Sequence, residues 1–191
     1  MLTTDEVLSI FQNTRAMLTG HFQLTSGRHS DRYFQCAMVL QHPNYTETLC
    51  RELAVRFAGE NISAVIGPAT GGVIVSYEVA RALGVLSMFA ERENGVMKLR
   101  RGFSIKPGDK VLVVEDVITT GGSVREVIEI VKGLGGEVVG AGVLVDRSNG
   151  TEELGVRTEA LLTTEVTSYT PEECPLCKKG FPVVKPGSRD I

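Results

Sequence analysis

No apolar run in this 191-residue chain approaches the roughly 20 residues of a membrane-spanning helix, which excludes a helical membrane span. Residues 1–6, MLTTDE, lack the basic and apolar stretches of an export signal, so a cytoplasmic location with no membrane partner is expected. A basic excess is missing as well: 20 Lys and Arg stand against 23 Asp and Glu, for a net charge of −3, so no global field invites nucleic acid. Cysteine is scarce, and four residues (Cys36, Cys50, Cys174, Cys177) do not demand an oxidising compartment. Neither a Gly-Lys-Ser/Thr phosphate loop nor a G-x-G-x-x-G dinucleotide fingerprint occurs. No Ser-His or Cys-His arrangement points to a side-chain nucleophile, and there is no internal repeat or low-complexity segment.

What is present reads as one domain with a sizeable core, 42% hydrophobic and 23% charged. Thr3 followed by Glu6 fits a capping box, and Val7, Ile10, Phe11, Met17 and Leu18 recur at helical spacing, predicting a helix over 4–18. Residues 20–36 hold two short apolar stretches around a Ser-Gly turn, a hairpin pattern. Residues 43–59 run from Pro43 to Gly59 as a helix. Short apolar strands follow at 63–67, 84–90, 110–116, 137–147 and 159–166, with helices at 72–83 and 121–136. In the second of these helices Val124, Val127, Ile128, Val131 and Leu134 form the apolar stripe. Apolar strands alternating with helices give an α/β fold, a parallel sheet covered by helices on both faces. Ligands of such sheets bind beyond the carboxyl ends of the strands, here the loops 67–72, 115–123 and 146–150.

The segment VLVVEDVITTGGS, residues 111–123, ends a buried strand in Glu115 and Asp116 and opens a helix with hydroxyls and glycines. A turn of this composition fits either a well-capped helix start or a phosphate cradle of backbone N–H groups at a helix N-terminus. Carboxylates beside an anion site need partners, and a sugar's vicinal hydroxyls or a divalent cation would supply them. Phosphate at one end and a diol at the other describe a ribose 5-phosphate site.

This segment resembles the signature of the type I phosphoribosyltransferases: four apolar residues, two acids, two apolar, then Thr-x-Gly-x-Ser/Thr. The resemblance spans roughly residues 5–165 and implies that family's fold, with a small N-terminal lid and a hood loop. It implies that Glu115 and Asp116 hold the ribose of phosphoribosyl pyrophosphate, and that Val117, Ile118, Thr119, Thr120, Gly121, Gly122 and Ser123 line its 5-phosphate site. Ala69, Thr70, Gly71 and Gly72, in the glycine-containing turn GPATGG, become the pyrophosphate loop; taken alone, the turn fits an ordinary strand-to-helix connection too. Arg92, Lys98, Arg100 and Arg101 lie in the basic stretch ERENGVMKLRRGF (91–103), which fits a solvated hairpin or, by the resemblance, a mobile hood. In the family's orotate-using branch a hood lysine serves the neighbouring subunit's pyrophosphate, so Lys98 joins Glu115 and Asp116 as a catalytic candidate and a homodimer is implied.

Arg147 ends the strand 137–147, and a guanidinium can grip orotate's carboxylate with two hydrogen bonds; an ion pair with Asp146 is the other use for it. LTSGRHSDRYFQC (24–36) is similar to the orotate-using branch's base lid, which implies Tyr33 and Phe34 beside the base and Thr119 and Arg147 bonded to it. The implied reaction takes orotate and phosphoribosyl pyrophosphate, with Mg2+, to orotidine 5′-monophosphate; a purine phosphoribosyltransferase or a non-catalytic phosphoribosyl pyrophosphate sensor are the alternatives. Two lysines common in the orotate branch are replaced, by Thr25 and by Gly71 or Gly72. The implied organisation is a helix and base lid over 1–40, the α/β core over 41–170 and an extension over 171–191.

Cys174 and Cys177, in PEECPLCKKG, resemble half a zinc knuckle. A closed site needs four ligands, and the sequence offers no second CxxC or neighbouring histidine pair; Cys36 or a partner subunit would have to complete it. The pair is therefore read as reduced and unliganded, and no metal ligands are assigned. His21, His29 and His42 show no metal-binding spacing, and Cys36 and Cys50 read as small core residues.

Overall fold

In the computed structural model the chain is described over residues 1–24, 27–148, 150, 153–164 and 168–185. Thr25, the Ser26 of the Ser-Gly-Arg segment, the end of the strand expected at 159–166 and the tail beyond 185 lie outside these residues. The chain begins with α1 (Thr4–Asn13), β1 (Met17–Gln23), β2 (His29–Phe34), α2 (Ala37–Leu40) and α3 (Pro43–Arg56). It continues through β3 (Ala64–Pro68), α4 (Gly71–Leu83), β4 (Leu86–Glu93), β5 (Val96–Leu99), β6 (Lys110–Ile118) and α5 (Gly122–Gly133). The last elements are β7 (Glu137–Asp146), β8 (Thr158–Thr163), β9 (Ser168–Tyr169) and α6 (Pro175–Lys178). No helix among the described residues is long and apolar enough to cross a membrane.

The main sheet has the order β5-β4-β3-β6-β7-β8, with β4, β3, β6, β7 and β8 parallel and β5 antiparallel at the edge. Helices cover both faces, as the continuous apolar strands require. Alternation along β6 divides the core: Leu112 and Val114 join α1, α3 and α4, while Val111 and Val113 join α5. Val124, Val127, Ile128 and Val131 of the expected stripe are buried, but α5 ends at Gly133 and Leu134 is 44% exposed. Cys36 and Cys50 are buried in the core.

A second sheet, β1-β2-β9, stands apart from the first. Here the expected 4–18 helix is corrected. The Thr3–Glu6 capping box forms, but α1 stops at Asn13, the Thr14 hydroxyl bonds back to the Ile10 carbonyl at 2.8 Å, and Arg15 turns left-handed with φ 55°. Met17 and Leu18 then enter β1, opposite Phe34 and Tyr33. Apolar residues at helical spacing were here the ends of two different elements. The C-terminal segment belongs to this second sheet: β9 pairs with β2, and Val184 bridges Phe22.

At the end of β3 the backbone of Gly67 touches that of Gly72 in α4 so closely that a Cβ on Gly67 would lie 2.7 Å from the Gly72 carbonyl carbon. Gly67→Ala is expected to destabilise the fold by about 1–3 kcal/mol, measured by urea unfolding; an unchanged midpoint would show that the β3–α4 contact is not rigid.

Candidate active site

β6 carries its acids to the carboxyl edge of the sheet, between two helix starts. Glu115 is 8% exposed. Its carboxylate accepts hydrogen bonds from the Asp116 N–H at 3.1 Å and from the Gly72 N–H, and Asp116 Oδ1 accepts from the Val117 N–H at 2.9 Å. Burial, then the charge of neighbouring Asp116, push the Glu115 carboxyl well up; burial also raises Asp116, against its own hydrogen bonds. Two acids so placed do not ionise freely together.

Glycines make room for the acids. A Cβ on Gly71 would strike the Asp116 carboxylate, and one on Gly72 would lie 3.1 Å from Glu115 Oε1. A side chain at either position would invade the acid pair.

The helix starts on either side lack side-chain caps, although at α4 the Gly72 N–H serves Glu115 and the Val73 N–H donates to the Thr70 carbonyl at 3.2 Å. Thr70 precedes α4 and Gly121 precedes α5, and neither helix has a side-chain cap. The capped-turn reading of Thr119 to Ser123 is therefore set aside, because the first-turn donors of α5 remain open to an anion. Gly121 adopts φ 65°, a left-handed conformation, and Leu154 packs where its Cβ would be. Arg92, Glu115, Val117, Ile118, Thr119, Thr120, Gly121, Gly122 and Ser123 line a pocket of about 290 Å³. Ala69 and Thr70 are exposed beside it in sequence, joined by a cis peptide bond, and Ala69 N–H donates to the Ala90 carbonyl at 2.7 Å.

The basic stretch 91–103, expected as a solvated hairpin or a hood, contains a hairpin. β4 and β5 pair across Asn94-Gly95, both at positive φ (53° and 82°), the geometry of a tight two-residue turn. Its cations are all paired: Arg92 with Glu126 at 2.6 Å, Lys98 with Glu93 at 2.8 Å, Arg100 with Glu93 at 3.0 Å and Arg101 with Glu91 at 2.7 Å. Of the four, Arg92 lines the pocket. The cations of these pairs are exposed and weakly held, so a multiply charged anion can draw them away.

Arg147 is half-buried, its N–H bonded to the Ile118 carbonyl at 3.0 Å, and its Nε is buried without a hydrogen-bond partner. Asp146 does not pair with it. Its carboxylate instead accepts from the Ser148 N–H at 2.7 Å, the Ser148 hydroxyl at 2.6 Å and the Gly150 N–H at 3.0 Å, closing its own loop. Burial lowers the Arg147 pKa, while Tyr33 and Cys36 act on it in the opposite direction, so both lie within electrostatic reach. Tyr33 is half-buried and packs on Phe22 at 5.9 Å. Phe34 is a correction to the expected base lid: it is 4% exposed and packs edge-on against Phe11 at 6.1 Å, in the core. Neighbouring strand residues face opposite sides, so Tyr33 and Phe34 cannot both flank one ligand.

Comparison with known proteins accords with this geometry. The family model for the phosphoribosyl transferase domain matches residues 37–158. The chain is 76% identical to the orotate phosphoribosyltransferase of Pelotomaculum thermopropionicum, over 190 residues and 100% of both chains. It is 69% identical to that of Desulforamulus reducens, over the same extent. Among solved structures, the orotate phosphoribosyltransferase of Aeropyrum pernix superposes with a TM-score of 0.69 at 29% identity, covering 83% of this chain and 94% of that one.

A carboxyl whose pKa is higher in the folded than in the unfolded chain binds its proton more tightly when folded. The stability it contributes is full below the ordinary carboxylate range and is lost as pH rises through that range toward the raised value. Glu115→Gln is therefore expected to gain stability relative to the parent between about pH 5 and about pH 8, measured by urea unfolding without anionic ligands. Parallel pH profiles for the two proteins would contradict the upward shift.

Proposed function

The chain belongs to the orotate phosphoribosyltransferases, and on that premise we propose how its residues share the work. The enzyme transfers the ribose 5-phosphate group from phosphoribosyl pyrophosphate to orotate, giving orotidine 5′-monophosphate and pyrophosphate, a step of pyrimidine biosynthesis. The observation that carries the site assignment is the buried, unpartnered Nε of Arg147 at the edge shared with the acid pair. Among the nucleobases that such enzymes use, orotate alone brings a carboxylate to satisfy it.

In this assignment the open N–H groups and hydroxyls of Thr119 to Ser123 bind the 5-phosphate, with Val117 and Ile118 forming the wall beneath. Glu115 and Asp116 accept the ribose hydroxyls, and the uncapped start of α4, with Ala69, Thr70, Gly71 and Gly72, faces the pyrophosphate. Tyr33 and Thr119 position the base against Arg147. As the bond from the anomeric carbon to pyrophosphate breaks and the bond to the base nitrogen forms, the ribose ring gains positive character. The adjacent carboxylates favour that charge, and Lys98, Arg92, Arg100 and Arg101 neutralise the leaving group after exchanging their exposed glutamates for it.

Mg2+ would be bound mainly by the donor's pyrophosphate and ribose hydroxyls, and the hard oxygens of Glu115 and Asp116 would stand close by. When bound, Mg2+ supplies charge neutralisation to the departing pyrophosphate. We place the reaction in the cytoplasm, a reading supported by four free thiols. The assembly we assign is a homodimer in which the β4–β5 hairpin reaches the neighbour's site; the exposed Ile74, Tyr77 and Leu86 on α4 and β4 provide an apolar face for it.

Arg147→Ala should raise the orotate KM on the order of a hundredfold while leaving phosphoribosyl pyrophosphate affinity in place, read by steady-state kinetics and calorimetry. Unchanged orotate affinity would remove Arg147 from the base site. Lys98→Ala should lower kcat on the order of a hundredfold with orotate binding little changed. Mixing inactive Lys98→Ala and Arg147→Ala subunits should restore turnover if the hairpin serves its neighbour; continued inactivity after demonstrated subunit exchange would confine each site to one chain.

A further inference from the structure

We propose that His21, His29, Cys174 and Cys177 form a tetrahedral site for a soft divalent cation, zinc by its ligand chemistry, that fastens the C-terminal segment to the lid sheet. The four ligand atoms all lie within 4.8 Å of one another. His21 Nε2 is 3.0 Å from His29 Nδ1, 3.4 Å from Cys174 Sγ and 3.6 Å from Cys177 Sγ, and His29 Nδ1 is 3.2 Å from Cys177 Sγ. Ligands at ordinary zinc–nitrogen and zinc–sulfur distances around a tetrahedral ion stand about 3.3–3.8 Å apart. Two of the four quoted separations fall in that range, two lie just below it, and no pair exceeds 4.8 Å, so the four atoms converge on one point and small side-chain adjustments would close them around an ion.

The protonation pattern supports the same reading. His21 Nδ1 faces the Phe181 carbonyl at 2.9 Å, which only accepts, so the ring proton is on Nδ1 and Nε2 presents its lone pair. That single lone pair has three neighbours, more than one nitrogen can serve as a hydrogen-bond acceptor. A cation at the centre uses all four lone pairs together, and the Nδ1–H to carbonyl bond is the outer contact that commonly orients a ligating histidine. Two imidazoles and two thiolates make a closed structural set of the kind that favours zinc.

The fold explains why the sequence hides the site. A register shift in β1 between Thr19 and Phe22 re-aims His21, and His29 opens β2 opposite Gln23. Cys174 precedes α6 and Cys177 lies within it; Gly180, at φ 74°, donates its N–H to the Cys177 carbonyl at 2.9 Å and turns the chain back toward β1. His21, His29 and Cys174 are buried at 6%, 5% and 0% exposure. The same β2 leads to Tyr33, so the cation would brace the base lid from behind, outside the acid pair and phosphate cradle.

The test uses the full chain, tag removed, expressed with zinc under reducing conditions and purified without chelator. Elemental analysis should find one zinc per chain. After removal with dipicolinate the protein should rebind one equivalent of zinc, and cobalt in its place should give thiolate-to-cobalt charge-transfer and intense tetrahedral ligand-field bands. Cys174→Ser with Cys177→Ser should retain less than about a tenth of the zinc, whereas His29→Cys, which preserves a four-ligand set, should retain it. Chelation should lower the thermal midpoint by roughly 10 °C. No zinc on the purified chain together with no cobalt spectrum, full zinc in the double serine variant, or a Cys174–Cys177 disulfide found by mass spectrometry would each overturn the proposal.

Discussion

The site depends on keeping two carboxyl groups side by side at the end of a buried strand with no cation beside them among the described residues' ion pairs, only backbone N–H groups and each other. Burial raises both and the charge of Asp116 raises Glu115 further, while the N–H groups of Gly72, Asp116 and Val117, and for Asp116 its hydrogen bond with Glu115, compensate in part. Such an arrangement is unfavourable for the isolated chain. It persists because β6 is locked between β3 and β7 and because glycines at 71 and 72 leave room for the acids. Strain of this kind is expected where a ligand, rather than the protein, completes the hydrogen bonding.

Around that pair the fold separates its charges. Uncapped helix N-termini at α4 and α5 supply fixed partial positive charge for anions, with no side chain to rearrange. The full positive charges stand further out on the β4–β5 hairpin, each held by a surface glutamate. In the proposed assignment the fixed dipole of α5 suits the phosphate that stays, and the loosely held cations add to the dipole of α4 for the pyrophosphate that must leave. Arg147 stands apart from both, its buried Nε without a hydrogen-bond partner, which is what the proposed contact with the acceptor base would supply.

Much of this was legible in the sequence, for physical reasons that differ by region. The core strands are apolar along their whole length because both faces are covered, so their positions and the acid pair at the end of β6 could be read directly. The uncapped start of α5 followed from glycines where a cap would stand. The lid region was less legible: Met17 and Leu18 continue the spacing of α1, yet Arg15 breaks the helix and they pair with β2. Phe34 looked like a lid residue beside Tyr33, but strand alternation sends it into the core against Phe11. The basic stretch 91–103 fitted a solvated hairpin or a hood, and the structure closes β4 on β5 at Asn94-Gly95, both at positive φ. The His21, His29, Cys174 and Cys177 cluster is not a local pattern at all, since a strand irregularity and a returning C-terminal segment assemble it.

The acid pair's purpose is the claim from which the remainder follows, and the sugar hydroxyls are its sharpest probe. Calorimetric titration with Mg2+ should compare phosphoribosyl pyrophosphate with an analogue lacking the 2- and 3-hydroxyls but keeping both phosphate groups. The account predicts tight binding of the donor and on the order of a hundredfold weaker binding of the analogue, because the carboxylates would then face no donor. Equal affinity for the two would contradict it.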